Sequence, residues 1–332
     1  MSTMKIRAVR VLRTVAGSNP YTAKVLKKAF TRPKIKRGAN YTQINGRSYT
    51  VVRSNSGAEE NRVGIYLRGG CDLPAMFRLA PLMRDTFTGT CAIKRDPNEI
   101  AGSRSDLMMQ TLHDLDGVPA EALEEVLSSF KLGFKYFSNE LFNPSFTVTD
   151  DHKQDQEFDK TVMVLSAGPD YTRTLYRHRE HGFLVDPGGF WLNHSVENAL
   201  SDMSKLQWFN KTFKSVGRLS PEDFRREFGA LVTEIKKRTG AHILVLNVLT
   251  VDPSDLTHNY RLVKNPDNAR RRAFDVALAD MSQLHDFDVL DVDRILKTRG
   301  ITDQVDFAHP SEQQFTPMAE EAYRILKDRE IL

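Results

Sequence analysis

The sequence predicts an α/β fold, a doubly wound and mostly parallel five-stranded sheet between helices. Three observations predict it. Short aliphatic runs recur from residue 61 onward, they are continuous rather than alternating, and stretches of helical period separate them. A continuous apolar run marks a strand buried on both faces, as in a parallel sheet. Strands that alternate with helices build doubly wound sheets.

The strands are read in order. Val63 to Leu67 is the first, Gly89 to Ile93 the second and Thr161 to Ser166 the third. His242 to Leu249 is the strongest, aliphatic but for one Asn in its body, and Val289 to Val292 is the fifth. The helices follow from period and capping. Pro119 to Tyr136 carries apolar residues at helical spacing. Ser220-Pro221-Glu222-Asp223 offers a cap, a proline at the first helical position and acids in the first turn. That helix should stop at Gly240. Asp267 to Leu284 is another, and Thr316-Pro317 opens the last. Before all of these, Tyr41 to Ile44 and Ser48 to Val52 flank Asn45-Gly46, the pattern of a hairpin. Residues 1–60 therefore read as a basic extension with a hairpin. Residues 61–332 read as the α/β domain, with an insertion around 171–219.

Composition narrows the class. The chain has 332 residues, 40% hydrophobic and 27% charged, which excludes a wholly disordered, collagenous or coiled-coil protein. No run of about 18 apolar residues is present, so no membrane-spanning helix is expected. The first residues hold no continuous apolar stretch, so a secretory leader is not expected. Two cysteines, Cys71 and Cys91, make no disulfide framework and suit a reducing, cytoplasmic setting.

Charge is uneven. Residues 1–60 carry 13 Lys/Arg and 2 Asp/Glu, a net of +11, whereas the other 272 residues carry 34 and 41, a net of −7. Residues 1–37 contain no acid. Such an arm suits an anionic membrane surface or another phosphate-rich partner. It equally suits a solvated tail that packs on its own acidic body. Aromatic-basic modules for nucleic acid are absent, as are a P-loop and a dinucleotide fingerprint, so neither a nucleic-acid partner nor a nucleotide cofactor is expected. Two histidines in Tyr176-Arg177-His178-Arg179-Glu180-His181 could share a helical face, but no third ligand is identifiable and no metal is expected. Arg270-Arg271-Arg272 reads as a solvated helix face.

Ligands of doubly wound sheets bind beyond the carboxyl ends of the strands. The loops there hold the chemistry. Arg68-Gly69-Gly70-Cys71-Asp72 follows the first strand, and a cysteine at a helix start is favoured as thiolate. Ala101-Gly102-Ser103 follows the second and can offer backbone N–H groups to an oxyanion. Ala167-Gly168-Pro169-Asp170 follows the third. Asp306-Phe307-Ala308-His309-Pro310 precedes the last helix, and an Asp three residues before a His can orient the imidazole as a base.

In this order the motifs resemble the SGNH/GDSL hydrolase superfamily. Gly69-Gly70-Cys71-Asp72-Leu73 falls on its first block, Gly102 on its second and Asp306-Phe307-Ala308-His309-Pro310 on its last. The resemblance spans residues 61–332 and implies a three-layer, flavodoxin-like domain. It also implies covalent ester chemistry: Cys71 as nucleophile, His309 as base and then acid, and Asp306 as its orienter. Gly70, Gly102 and Asp170 would serve the oxyanion and substrate. The implied substrate is a small-molecule or glycan acyl ester, cleaved by an esterase or passed on by an acyltransferase, with no cofactor. Two departures stand out. Cysteine replaces the usual serine, as in GSCFA-like branches, and Asp170 stands where an Asn is expected. A charged carboxylate there would repel an oxyanion unless protonated. The same motifs therefore also fit a catalytically silent protein of this fold that binds a glycan, a metabolite or a partner protein.

Overall fold

The structure is a computed structural model. It describes residues 41–42, 49–53, 62–69, 73, 76, 90–95, 104–113, 117–130, 148–149, 155–156, 158–186, 196, 202–250, 267–299, 304–306, 309–310 and 312–332.

The chain begins with β1 (Tyr41–Thr42), β2 (Tyr49–Arg53), β3 (Arg62–Arg68) and β4 (Thr90–Arg95). Helices α1 (Ser105–Leu112) and α2 (Ala120–Phe130) follow. Next come β5 (Val148–Thr149), β6 (Asp155–Gln156), β7 (Lys160–Ser166) and the short α3 (Gly168–Thr172). Then β8 (Leu175–His178), β9 (Leu184–Val185), α4 (Met203–Thr212) and β10 (Phe213–Gly217) form the connection to α5 (Pro221–Thr239) and β11 (His242–Leu246). The last elements are α6 (Asp267–His285), β12 (Asp288–Leu290), α7 (Val292–Arg299), β13 (Gln304–Asp306), β14 (His309–Pro310) and α8 (Glu312–Asp328).

The main sheet has seven strands, not five, in the order β1-β2-β4-β3-β7-β11-β12. Four successive parallel pairings join β4, β3, β7, β11 and β12. The two extra strands are the arms of the Asn45-Gly46 hairpin, and β2 pairs antiparallel with β4. The hairpin is legible from Asn45-Gly46, but its place in the sheet is not, because its pairing partner β4 lies about 40 residues further along the chain. Within the parallel set, numbered by sequence, the order is 2-1-3-4-5, the doubly wound pattern with its switch between β3 and β7.

Burial explains the central strands. Ile65, Val162, Val164, Leu165, Leu244 and Val245 are fully buried. Each such side chain contributes about 1.5–3 kcal/mol relative to exposure. Two cores flank the sheet. One packs Val63, Val164 and Leu244 under Met318, Ala322 and Leu326 of α8. The other packs Met163, Leu165 and Val245 under Phe224 and Phe228 of α5 and Phe274 and Leu278 of α6. Side chains from β7 point alternately to each, as a strand requires.

Helix α5 forms as its sequence signals. The Ser220 hydroxyl accepts the Asp223 N–H at 3.0 Å, Pro221 opens the helix, and Gly240 ends it with φ 62°. By contrast, α8 begins at Glu312, four residues before Thr316. Pro317 lies inside it, where the helix forgoes one backbone bond. The buried stripe Gln314, Met318 and Ala322 sets the start instead. The helix read over Pro119 to Tyr136 is described only as Ala120–Phe130. Among the described residues, no helix is long and apolar enough to cross a membrane.

The connection between α3 and α5 carries a second, three-stranded sheet in the order β10-β8-β9. Its own core joins Phe183, Val185, Phe209 and Phe213 to Val126 of α2. His178 and His181 sit here on a strand and its turn, not on one helical face. Their rings stack at 4.8 Å, and His178 Nδ1 accepts the backbone N–H groups of Glu180 and His181. Burial and the neighbouring His181 lower the His178 pKa. Among the described residues no group of His, Cys, Asp and Glu could hold a metal ion.

Candidate active site at the carboxyl edge of the sheet

All the parallel strands end on one side of the sheet, and the described residues that follow β3, β7 and β11 meet there. Gly69, just after β3, lies against the end of β7. A Cβ added to Gly69 would fall 2.8 Å from Ser166 Cβ and 2.6 Å from Leu73 Cδ1. Only glycine fits this approach. Leu73 and Met76, beyond the Gly-Gly turn, are buried against the sheet. At the end of β7 the Ala167 N–H donates to the Leu246 carbonyl of β11 at 3.0 Å, which holds the two strand ends level.

A cavity of about 120 Å³ opens at this edge. Its walls are Ser166, Gly168, Tyr171 and Thr172 after β7, and Leu246 to Leu249 at the end of β11. Met76 closes it from the β3 side, Val292 from the β12 side, Phe315 and Met318 from α8, and Arg271 from α6. The surroundings are mostly apolar, with a few converging polar groups, the common character of small-molecule sites.

Cys71, Gly70 and Gly102 lie outside the described residues. Asp306 and His309 are described at the backbone, where they pair across the β13–β14 ribbon. Their side chains lie outside the description. Phe315, six positions after His309, lines the cavity, as does Met76, five positions after Cys71.

Asp170 is fully buried in α3. Its Oδ1 accepts the Ser105 N–H at 2.8 Å and the Ser105 hydroxyl at 2.5 Å. Its Oδ2 has no hydrogen-bond partner. Burial raises the pKa to about 7 against the lowering effect of the Ser105 bonds. Asp170 thus clamps the start of α1 to the end of β7. Arg104 strengthens the joint by donating to Asp106 through both Nε and Nη2 and to the carbonyls of Arg173 and Gly217.

Another carboxyl group lies on α6. Asp275 accepts the Val248 N–H at 2.9 Å. Burial first, then the charges of Asp293 and Asp291, raise its pKa to about 7. Asn247 is held by Asp291 Oδ1 at 2.8 Å, and Thr250 donates to Asp293 through both N–H and hydroxyl. Residues 247–250 after β11 are therefore fixed by side chains from two other segments.

No protein-family model matches the chain, and no curated protein matches it in sequence. Among solved structures it is similar to a member of the lipolytic protein G-D-S-L family from Veillonella parvula. That match has 10% identity and a TM-score of 0.38, covering 80% of this chain and 98% of the other. It is also similar to Axe2, an acetylxylan esterase from Geobacillus stearothermophilus, with 10% identity and a TM-score of 0.38 over 80% and 94% of the two chains. A third is a lipase/acylhydrolase from Enterococcus faecalis, with 12% identity and a TM-score of 0.37 over 81% and 96%.

Arg270 and Arg271 do not form the solvated face expected of the Arg270-Arg271-Arg272 run. The Arg270 guanidinium lies 4.6 Å from the Tyr171 ring centroid and 4.7 Å from that of Phe274, and donates to the carbonyls of Tyr171 and Leu219. Arg271 is buried on the cavity wall. Arg272 alone is exposed. The signal was in the sequence. Arg271, Phe274, Leu278 and Met281 recur three and four apart, so Arg271 belongs to the buried stripe of α6.

Proposed function

We propose that the chain is an SGNH-like ester hydrolase or acyltransferase that works through a thioester intermediate. The observation that carries this reading is the composition of the cavity wall. Met76 and Phe315 both line it, and each is joined by a few residues to a reactive motif, Gly70-Cys71 on one side and Asp306-x-x-His309 on the other.

The steps balance. Cys71 Sγ bonds to the acyl carbon as its thiol proton passes to His309, whose imidazolium Asp306 stabilises. The ester C–O bond breaks, and the leaving oxygen takes that proton. A water or an acceptor hydroxyl then attacks the thioester and gives its proton to His309. The C–S bond breaks, the thiol regains the proton, and an acid or a new ester leaves. N–H groups at Cys71 and Gly102 would hold the oxyanion. Acyl groups on carbohydrates or small alcohols are the substrate class.

A catalytically silent binding protein is the second reading. The Asp170 geometry favours it, since Oδ1 is spent on Ser105 rather than free for a ligand.

Hydrolysis of 4-nitrophenyl acetate by wild type, Cys71→Ala and His309→Ala tests the proposal. Turnover in wild type, abolished in both variants, with an acyl-enzyme trapped on Cys71 by intact-mass measurement, is the expected result. Wild-type rates in Cys71→Ala would overturn covalent catalysis and leave the binding protein.

A further inference from the structure

Arg271 is 7% exposed and lines the cavity at the carboxyl ends of β7 and β11. Its Nε–H donates to the Tyr171 hydroxyl at 3.2 Å and its Nη1 to the Leu249 carbonyl at 3.1 Å. The guanidinium also lies 5.3 Å from the Tyr171 ring centroid. Two of five N–H donors are thus engaged, both with neutral partners. No carboxylate among the described residues pairs with it. Two other buried arginines have acids: Arg104 pairs with Asp106 and Arg173 with Asp186. A buried cation without a counter-charge is costly, and a ring face and two neutral acceptors offset only part of that cost.

The rest of the wall decides what the missing partner is. Met76, Leu246, Val292 and Met318 give an apolar lining, and Ser166 and Asn247 give neutral polar groups. Arg271 is the one basic group among the described lining residues. A single guanidinium matches a single negative charge in a planar fork, the geometry of a carboxylate. A phosphomonoester carries about −1.5 to −2 at neutral pH and would ask for more.

We infer that the cavity receives a short aliphatic chain ending in a carboxylate, with Arg271 binding that carboxylate. Resting on the hydrolase reading, this makes the substrate a half-ester of a dicarboxylic acid, its second carboxylate free. The distal carboxylate faces the α6 side and the acyl carbonyl the side lined by Met76. Arg271 is then a specificity residue for the acyl group.

Two measurements keep the pocket and the chemistry apart. Calorimetric titration compares butyrate, its neutral isostere butyramide, and methyl phosphate. Wild type should bind butyrate about thirtyfold more tightly than butyramide, the lower end of what removing one partner of a buried charge pair costs. Arg271→Gln should lose that ratio and Arg271→Lys should restore part of it. The wild-type comparison stands even where a variant fails to fold. Equal binding of butyrate and butyramide, or tighter binding of methyl phosphate, overturns the inference. Acid release from monoethyl succinate and ethyl butyrate is then followed. Preference for the succinate ester, reduced in Arg271→Gln, is the expected result. Equal turnover of both esters by wild type overturns the inference while the hydrolase stands. Butyrate selectivity with no turnover of either ester overturns the hydrolase and leaves the anion pocket.

Discussion

Asp170 Oδ1 receives two hydrogen bonds from one residue, Ser105, whose N–H lies at 2.8 Å and whose hydroxyl lies at 2.5 Å. The two residues are 65 positions apart, and their contact joins the segment after β4 to the segment after β7. The start of α1 is therefore tied to the switch point of the sheet through a carboxyl group whose pKa burial raises to about 7.

That group gives a pH signature. Burial raises Asp170 and Asp275 to about 7 from 3.8. Between about pH 4 and 7 the folded protein holds these protons and the unfolded chain has lost them, so stability falls as pH rises through that window. The exposed acids Asp223 and Asp286, with pKa values lowered by Ser220 and Lys236, act in the opposite sense at lower pH. Melting temperature should therefore drop from pH 5 to pH 8. Asp170→Asn keeps an acceptor for Ser105 and should flatten the profile, leaving the Asp275 part. The full change is of the order of a few kcal/mol. An unaltered slope in Asp170→Asn would contradict the assignment.

Ser105→Ala removes the hydroxyl that supports the Asp170 carboxylate. Urea unfolding at pH 8 should show a loss of about 1–3 kcal/mol, with a smaller loss at pH 5, where Asp170 is protonated. At pH 8 the two substitutions should not add, because Ser105→Ala removes a donor to a charge that Asp170→Asn has already abolished.

Gly69→Ala inserts a methyl group where Ser166 Cβ and Leu73 Cδ1 would lie at 2.8 and 2.6 Å. Leu73 can rotate, but Ser166 Cβ is fixed to β7. Overpacking of this kind costs about 1–3 kcal/mol. Turnover should fall further than stability alone accounts for, since Gly69 leads directly into Gly70-Cys71 in the sequence. A wild-type unfolding midpoint would refute the close approach.

Cys91 is buried in β4, and burial pushes its thiol up to about 12. Native protein treated with iodoacetamide at neutral pH should be labelled at Cys71 and not at Cys91. Peptide mapping distinguishes them. Faster labelling of Cys91 would sink the assignment of Cys71 as the reactive thiol.

Removing the base and removing its orienter should differ. His309→Ala should abolish ester turnover, whereas Asp306→Asn should leave a measurable rate, because the Asp orients the ring and stabilises its charge. Equal losses would point to a structural role for the β13–β14 ribbon. Circular dichroism of both variants checks that the fold persists.

What was legible in the sequence was local. The aliphatic runs of β7 and β11, the Ser220 cap and the Gly240 stop each depend on residues within a few positions, and each appears where the pattern puts it, except that β11 ends at Leu246 rather than Leu249. The Gly-Gly turn and the Asp-x-x-His-Pro motif are also short-range patterns. The start of α8 escaped this reading because its buried stripe outweighs the proline signal at Pro317. Strand order, the added hairpin, the Ser105 clamp on Asp170 and the burial of Arg271 depend on contacts between segments tens of residues apart. Charge compensation and desolvation are sums over such neighbours. Arg271 as a letter is a charged helix residue; only the packing of α6 over Tyr171 and Leu249 makes it a buried cation facing a cavity.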